Sequence, residues 1–229
     1  MQKSFGMAIC YNDARAPCIL MCRRRITYEF FEFTIGRYEL SQVPELLNGM
    51  TTSEKVDIFS QDFGRIWTRM NPLSKFYTKK CKDKFLHTIA NIDIREAIRN
   101  SRNGYLTIEL PKGRRKSSEL PLDTAIRETY EEVHIQPEQY KVIFDIEPII
   151  YNSSDYNVEY MSQYYVAKAH KKYDFKFCDL QINEIEDVQW WTLHSLRMYS
   201  NENDIRNMNY IRDVAIPALE RFIDYVLEN

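Results

Sequence analysis

The sequence predicts an α/β protein that carries a mostly helical insertion, and three observations predict it. Strand-like and helix-like segments follow one another as strands, a helical block, a strand, a helix, strands and a helix, the pattern of a sheet covered by helices. The helical block is a stretch of about 65 residues with apolar side chains at three- and four-residue steps. The chain has 229 residues, 44% hydrophobic and 14% aromatic, enough for one large core or two small ones.

Residues 4–10 and 18–22 are short apolar runs separated by a polar turn with Asn12, Asp13 and Pro17, which reads as a hairpin at a sheet; Arg23, Arg24 and Arg25 follow. From residue 37 to 103 the spacing of Val43, Leu46 and Leu47, and of Phe59, Phe63, Ile66, Trp67 and Met70, favours helices, with Pro44 and Pro72 at starts or breaks. Residues 105–110 return to strand alternation, 111–118 form a basic loop, and 121–133 have helical spacing. Strands are expected at 140–150, 159–169 and 188–192, and a terminal helical segment at 204–227, interrupted by Pro217. The expected division is a discontinuous domain of residues 1–36 and 104–229 around an insertion of residues 37–103.

Composition excludes several classes. Only 6 glycines are present, and neither GxGxxG nor GxxxxGK[ST] occurs, which speaks against Rossmann and P-loop sites. Five cysteines without a CxxC pair, and an N-terminus without the apolar core of a signal peptide, read as a reduced, cytoplasmic protein. No run approaches the roughly 20 apolar residues of a membrane span, and the four histidines lack zinc-finger spacing to the cysteines. The net charge is −2, from 31 basic and 33 acidic residues, yet residues 63–103 hold ten basic residues against three acidic ones. That local excess reads either as a solvated helix surface or, with Trp67, Phe76, Tyr77 and Phe85 interleaved, as a surface for a polyanion such as RNA. Its densest group is Lys75, Lys79, Lys80, Lys82 and Lys84; Trp67 and Phe85 have the spacing of core residues. The loop adds Lys112, Arg114, Arg115 and Lys116.

The segment 113–135, GRRKSSELPLDTAIRETYEEVHI, carries the chemistry. At about 100° per residue, Leu122, Ala125, Ile126, Thr129 and Val133 form a packing stripe. Glu128, Glu131 and Glu132, at i, i+3 and i+4, cluster on another face. Like charges at those spacings cost about 0.2–0.5 kcal/mol per pair, relieved locally by Arg127 and removed by a hard divalent cation bound through oxygen.

Gly113, Glu119, Arg127-Glu128 and Glu131-Glu132 stand at the spacing Gly-x5-Glu-x7-Arg-Glu-x2-Glu-Glu. The chain thereby resembles the Nudix hydrolases, with two departures: Thr129 stands at an aliphatic position, and His134 replaces the glycine that ends the helix. The resemblance implies an α/β/α sandwich and Mg²⁺ or Mn²⁺ ions that activate water for attack on a diphosphate. It implies Glu128, Glu131 and Glu132 as metal ligands and catalytic carboxylates, close backbone approach at Gly113, and an orienting role for Arg127 and Glu119. A base outside the box is sought at Glu184, with Glu186 watched beside it.

The segment ELPKGRRK resembles the Pro-Lys-Gly loop of decapping and diphosphoinositol polyphosphate Nudix enzymes, although Ile108 stands where decapping relatives often have tryptophan. RRRITYEFFEFTIGRY, the helical insertion and then the box resemble the mRNA-decapping Nudix enzymes of large cytoplasmic DNA viruses, of the asfarvirus and mimivirus type. That implies capped RNA as substrate and the host cytoplasm as the place of action. Two other readings stay open: hydrolysis of diphosphoinositol polyphosphates on the same basic loop, and a non-catalytic RNA-binding protein, against which the intact glutamates argue.

Overall fold

The structure is a computed structural model, and it describes residues 1–74, 76–155, 158–174, 184–199 and 204–229. It divides into two compact units. The first holds residues 1–23 and nearly all described residues from 108 on; the second holds Arg24–Thr107 together with Glu184.

The first unit is built on β1 (Gln2–Tyr11), whose residues 5–10 are buried on both faces. One edge of β1 runs parallel to β7 (Val158–Ala169) from Gln2↔Tyr160 to Cys10↔Lys168. The other edge is shared by two antiparallel partners. β4 (Lys112–Arg114) pairs with Ser4, Phe5 and Gly6, and β2 (Cys18–Arg24) pairs with Cys10 and Tyr11. β2 also takes β3 (Ile108–Glu109) and β8 (Ile185–Thr192). β5 (Tyr140–Val142) and β6 (Ile149–Asp155) both lie antiparallel along β7.

Strand alternation sorts the two faces. Ala8, Cys10, Ile19 and Met21 face a core with Tyr210, Val214, Ala218 and Phe222. Phe5, Met7, Ile9, Leu20 and Cys22 face a core with Ala125 and Val133 of the box helix α7 (Pro121–Val133). Helices thus cover both faces of one sheet, an α/β/α sandwich. At the C-terminus, α8 (Leu193–Met198) and α9 (Ile205–Tyr210) lead through a π-helical turn, Ile211–Ala215, into α10 (Ile216–Glu228). Pro217, expected as an interruption, sits in the first turn of α10, where a missing N–H costs nothing.

The second unit contains α1 (Tyr28–Ile35), α2 (Val43–Gly49), α3 (Thr52–Phe59), α4 (Phe63–Met70), α5 (Lys79–Asn91) and α6 (Ile94–Arg99). Their apolar faces close a separate core around Phe30, Phe33, Leu47, Phe63, Ile66 and Phe85. The sequence expects the insertion at residues 37–103, and the compact helical unit runs from Arg24 to Thr107. Segment 24–36 packs with the helices: Thr27 caps α1, and Phe30 and Phe33 belong to the helical core.

Two strand expectations also change. Residues 105–110 pair as β3 only at Ile108–Glu109, and Pro111, which lacks an N–H, follows at once. Residues 140–150 break into β5 and the start of β6, because a turn at residues 144–146 and Pro148 interrupt the ladder.

Candidate active site

The loop before α7 is pinned at successive residues. Ile108 N–H donates to Asn207 Oδ1 at 2.8 Å and Leu110 N–H to the Tyr210 hydroxyl at 3.0 Å. Pro111 carbonyl accepts from Met7 N–H at 3.1 Å, and Lys112 N–H donates to Glu132 Oε2 at 3.0 Å. These bonds fix the backbone that carries Gly113 against the helix that carries the glutamates.

Gly113 is required by space. A Cβ there would lie 2.0 Å from Glu128 Cδ and 2.2 Å from its Oε1, so any side chain would displace that carboxylate.

Arg127 is the hub of the helix. Its Nε lies 2.6 Å from Glu119 Oε1, and its Nη1 lies 2.6 Å from Glu128 Oε1 and 2.7 Å from Glu131 Oε2. Its Nη2 donates to Glu119 Oε2 and to the Arg114 carbonyl, each at 3.0 Å. Glu119 Oε2 also accepts from Lys116 N–H and the Thr124 hydroxyl, each at 3.0 Å. The Arg127 hydrogen bonds pull the Glu119 carboxyl down to about 2, from an ordinary value of 4.5. Arg127, held first by Glu119 and then by Glu128 and Glu131, stays charged.

The three glutamates of the box differ in exposure. Glu132 is buried, the Glu128 side chain is 13% exposed, and that of Glu131 is 46% exposed with Lys116 Nζ at 3.3 Å. Burial first, and then the carboxylates of Glu132 and Glu109, push the neighbouring Cys22 thiol well above its ordinary range. Ala125, Thr129 and Val133 bury the packing stripe, and the Thr129 hydroxyl donates to Ala125 carbonyl at 2.7 Å. His134 ends the helix in the left-handed region at φ 57°, stacked on Tyr130 with ring centroids 4.8 Å apart. Histidine thus fills the position that pattern gives to glycine.

The basic residues separate into different roles. Arg114, Arg115 and Lys116 are exposed. Lys112 is partly withdrawn from solvent: its side chain is 16% exposed and its Nζ lies 2.5 Å from Glu109 Oε2. In the helical unit Arg65 and Arg69 are committed to buried Asp57, at 2.5 and 2.8 Å. Lys79 and Lys80 are exposed and, with Lys84 and Arg37, line a cleft of about 860 Å³ that also holds Glu39 and Asp83. Lys82 lies over the Tyr77 ring and Lys84 over that of Tyr38. Lys75 lies outside the described residues.

Of the four interleaved aromatics, Phe85 is buried, Trp67 donates its Nε1 to Ser74 carbonyl, and Tyr77 packs on Phe63 at 5.0 Å, while Phe76 is 90% exposed. Glu184 is exposed in a turn whose carbonyl accepts from Arg25 N–H, and Glu186 is exposed on β8. Glu184 belongs to the helical unit. Glu109, Arg37 and Cys22 stand at none of the defined positions of the box. A glutamate within the apolar alternation of residues 105–110 was the available signal for the first of them.

Among the described residues no three His, Cys, Asp or Glu side chains lie close enough together to hold a metal ion by themselves. The donor set nevertheless fits a hard cation. It is made of carboxylate oxygens only, one of them seated on a glycine, and Mg²⁺ takes one or two carboxylates and completes its shell with water and substrate phosphate.

The NUDIX domain family matches residues 94–211, more than half of the chain, and the chain belongs to that family. Similar proteins sharpen the comparison. The mRNA-decapping protein g5R of African swine fever virus, from a Kenyan pig isolate, is 26% identical over 98% of both chains. The same protein from a Namibian warthog isolate is 24% identical, again over 98% of both. Among solved structures, a C. elegans Ap4A hydrolase binary complex superposes with TM-score 0.50 at 15% identity over 100% of both chains, a likeness of fold.

Proposed function

We propose that this chain is an mRNA-decapping hydrolase, cleaving m7GpppN-capped RNA to m7GDP and RNA with a 5′-monophosphate in the host cytoplasm. The observation that carries the reading is the arrangement of Gly113, Arg127 and the three glutamates in a NUDIX-family chain. The likeness to a decapping protein over nearly the full length of both chains supplies the substrate.

One or two of the carboxylates Glu128, Glu131 and Glu132, with water and substrate phosphate completing the shell, would hold the divalent cation that Nudix hydrolases use, Mg²⁺ or Mn²⁺. When bound, that ion polarises the phosphoryl oxygens and acidifies its water. Arg127 keeps Glu128 and Glu131 oriented, and Glu119, ionised down to pH of about 2, keeps Arg127 in place. Glu119 is therefore an orienting group rather than a base. A carboxylate of the box takes the proton of the attacking water, and Glu132, fixed by Lys112 N–H, is the best held for it.

Lys79, Lys80, Lys82 and Lys84 bind the RNA body through its phosphates, and Phe76 offers an open ring for a base. Incubation with cap-labelled RNA and Mg²⁺ or Mn²⁺ tests the reading. Release of m7GDP is expected, with weak competition by the free cap dinucleotide, whereas release of another labelled product, or of none, would refute it.

A further inference from the structure

One buried charge in the first unit has no part in the scheme above. Glu109 is buried on the two-residue strand β3, paired to Cys22 of β2, and its Oε2 lies 2.5 Å from Lys112 Nζ. A buried ion pair is a poor source of stability, because desolvation of two charges offsets most of their attraction. The location of this pair suggests another use. Lys112 is joined to the box through its backbone, whose N–H donates to Glu132 Oε2. The residues on either side of Glu109 are bonded to α9 through Asn207 and Tyr210, so its carboxylate has a fixed origin.

A free lysine loses rotamer entropy when its four-carbon stem is ordered. A carboxylate at the end of that stem fixes the ammonium before any substrate arrives, as preorganised sites do. We propose that Glu109, which lies outside the box, is a positioning residue: it holds the ammonium of Lys112, whose own backbone N–H is bonded to Glu132, so that substrate phosphates meet a cation already oriented. The proposal rests on the decapping reading for its substrate, and deepens it by adding a residue that the box pattern does not contain.

The test is a double-mutant cycle on the full chain, with Glu109→Gln, Lys112→Met and the pair together. Turnover of capped RNA, melting temperature and affinity for inorganic pyrophosphate in Mg²⁺ are measured for each. Glu109→Gln is expected to lower kcat per folded molecule on the order of tenfold, as loss of a supporting contact does, and to weaken pyrophosphate binding several-fold. On a Lys112→Met background the same change is expected to add nothing to either effect. Glu109→Asp, which withdraws the charge by one methylene, is expected to fall between and serves if the glutamine variant does not fold.

A variant that melts earlier but keeps full kcat and pyrophosphate affinity would overturn the proposal. So would a loss that persists undiminished on the Lys112→Met background. If the unmutated protein releases no m7GDP, the decapping reading fails by itself, and the pyrophosphate affinities still decide the role of Glu109.

Discussion

Gly113 and Arg127 show how single residues set the chemistry. The Cβ that Gly113 lacks would occupy the space of the Glu128 carboxylate, so Gly113→Ala is expected to push Glu128 off Arg127. The cost is about 1–3 kcal/mol of overpacking, with a fall in turnover of at least about tenfold, since small displacements of a reacting group are expensive. Parallel melting and decapping measurements check this; full activity would show that Glu128 has room the structure denies it.

Glu119 gives a prediction in pH. Its folded value is lowered to about 2 from an ordinary 4.5. The stability contributed by its ionised form is therefore fully present above pH 4.5 and is lost as pH falls toward about 2. Glu119→Gln should flatten the melting temperature across that window and leave its course above pH 5 parallel to the unmutated protein. An unchanged acid limb would refute the Arg127–Glu119 assignment. The box residues were legible because their spacing is local to one loop and one helix. Glu109 was not, because its role depends on a lysine reached around Pro111 and on a helix about 100 residues further on.

Among the elements, α7 shows how a departure from pattern is absorbed. His134 sits at φ 57°, where a side chain costs on the order of 1–2 kcal/mol. Its ring recovers part of that by stacking on Tyr130, with Nδ1 3.1 Å from Tyr130 carbonyl. His134→Gly should thus change stability by less than about 1 kcal/mol, whereas His134→Ala keeps the strain, loses the stack and should cost about 1–2 kcal/mol. Equal effects in chemical denaturation would mean that the stack contributes nothing.

Helix α1 was the element least legible in the sequence. Its run Tyr28, Phe30, Phe31 and Phe33 follows an arginine cluster at the end of a strand, and aromatic density alone does not separate a strand from a short helix. Only the Thr27 cap and the shared core with Phe63 and Phe85 assign it to the helical unit. By contrast, β1 and β7 were legible to within two residues, because apolar runs of that length are bounded by polar turns on the sequence itself.

At the scale of the whole molecule, a net charge of −2 conceals an uneven distribution, with ten basic and three acidic residues in 63–103. The local excess of cations is smaller in practice than its count, since Arg65 and Arg69 neutralise Asp57, and its exposed members include Lys79 and Lys80 at the cleft edge as well as Arg95, Arg99 and Arg102. Reversal of both charges should weaken capped-RNA binding and lower the salt slope by about two ions, leaving hydrolysis of saturating substrate largely intact. An unchanged slope in filter binding would remove the RNA role from α5.

The central claim, that capped RNA is hydrolysed at the glutamates of α7, is tested most directly by Glu132→Gln. With cap-labelled RNA and Mg²⁺, single-turnover release of m7GDP should fall by on the order of a thousandfold or more while RNA affinity stays within about twofold. Release of m7GDP at a near-normal rate by that variant would contradict the account.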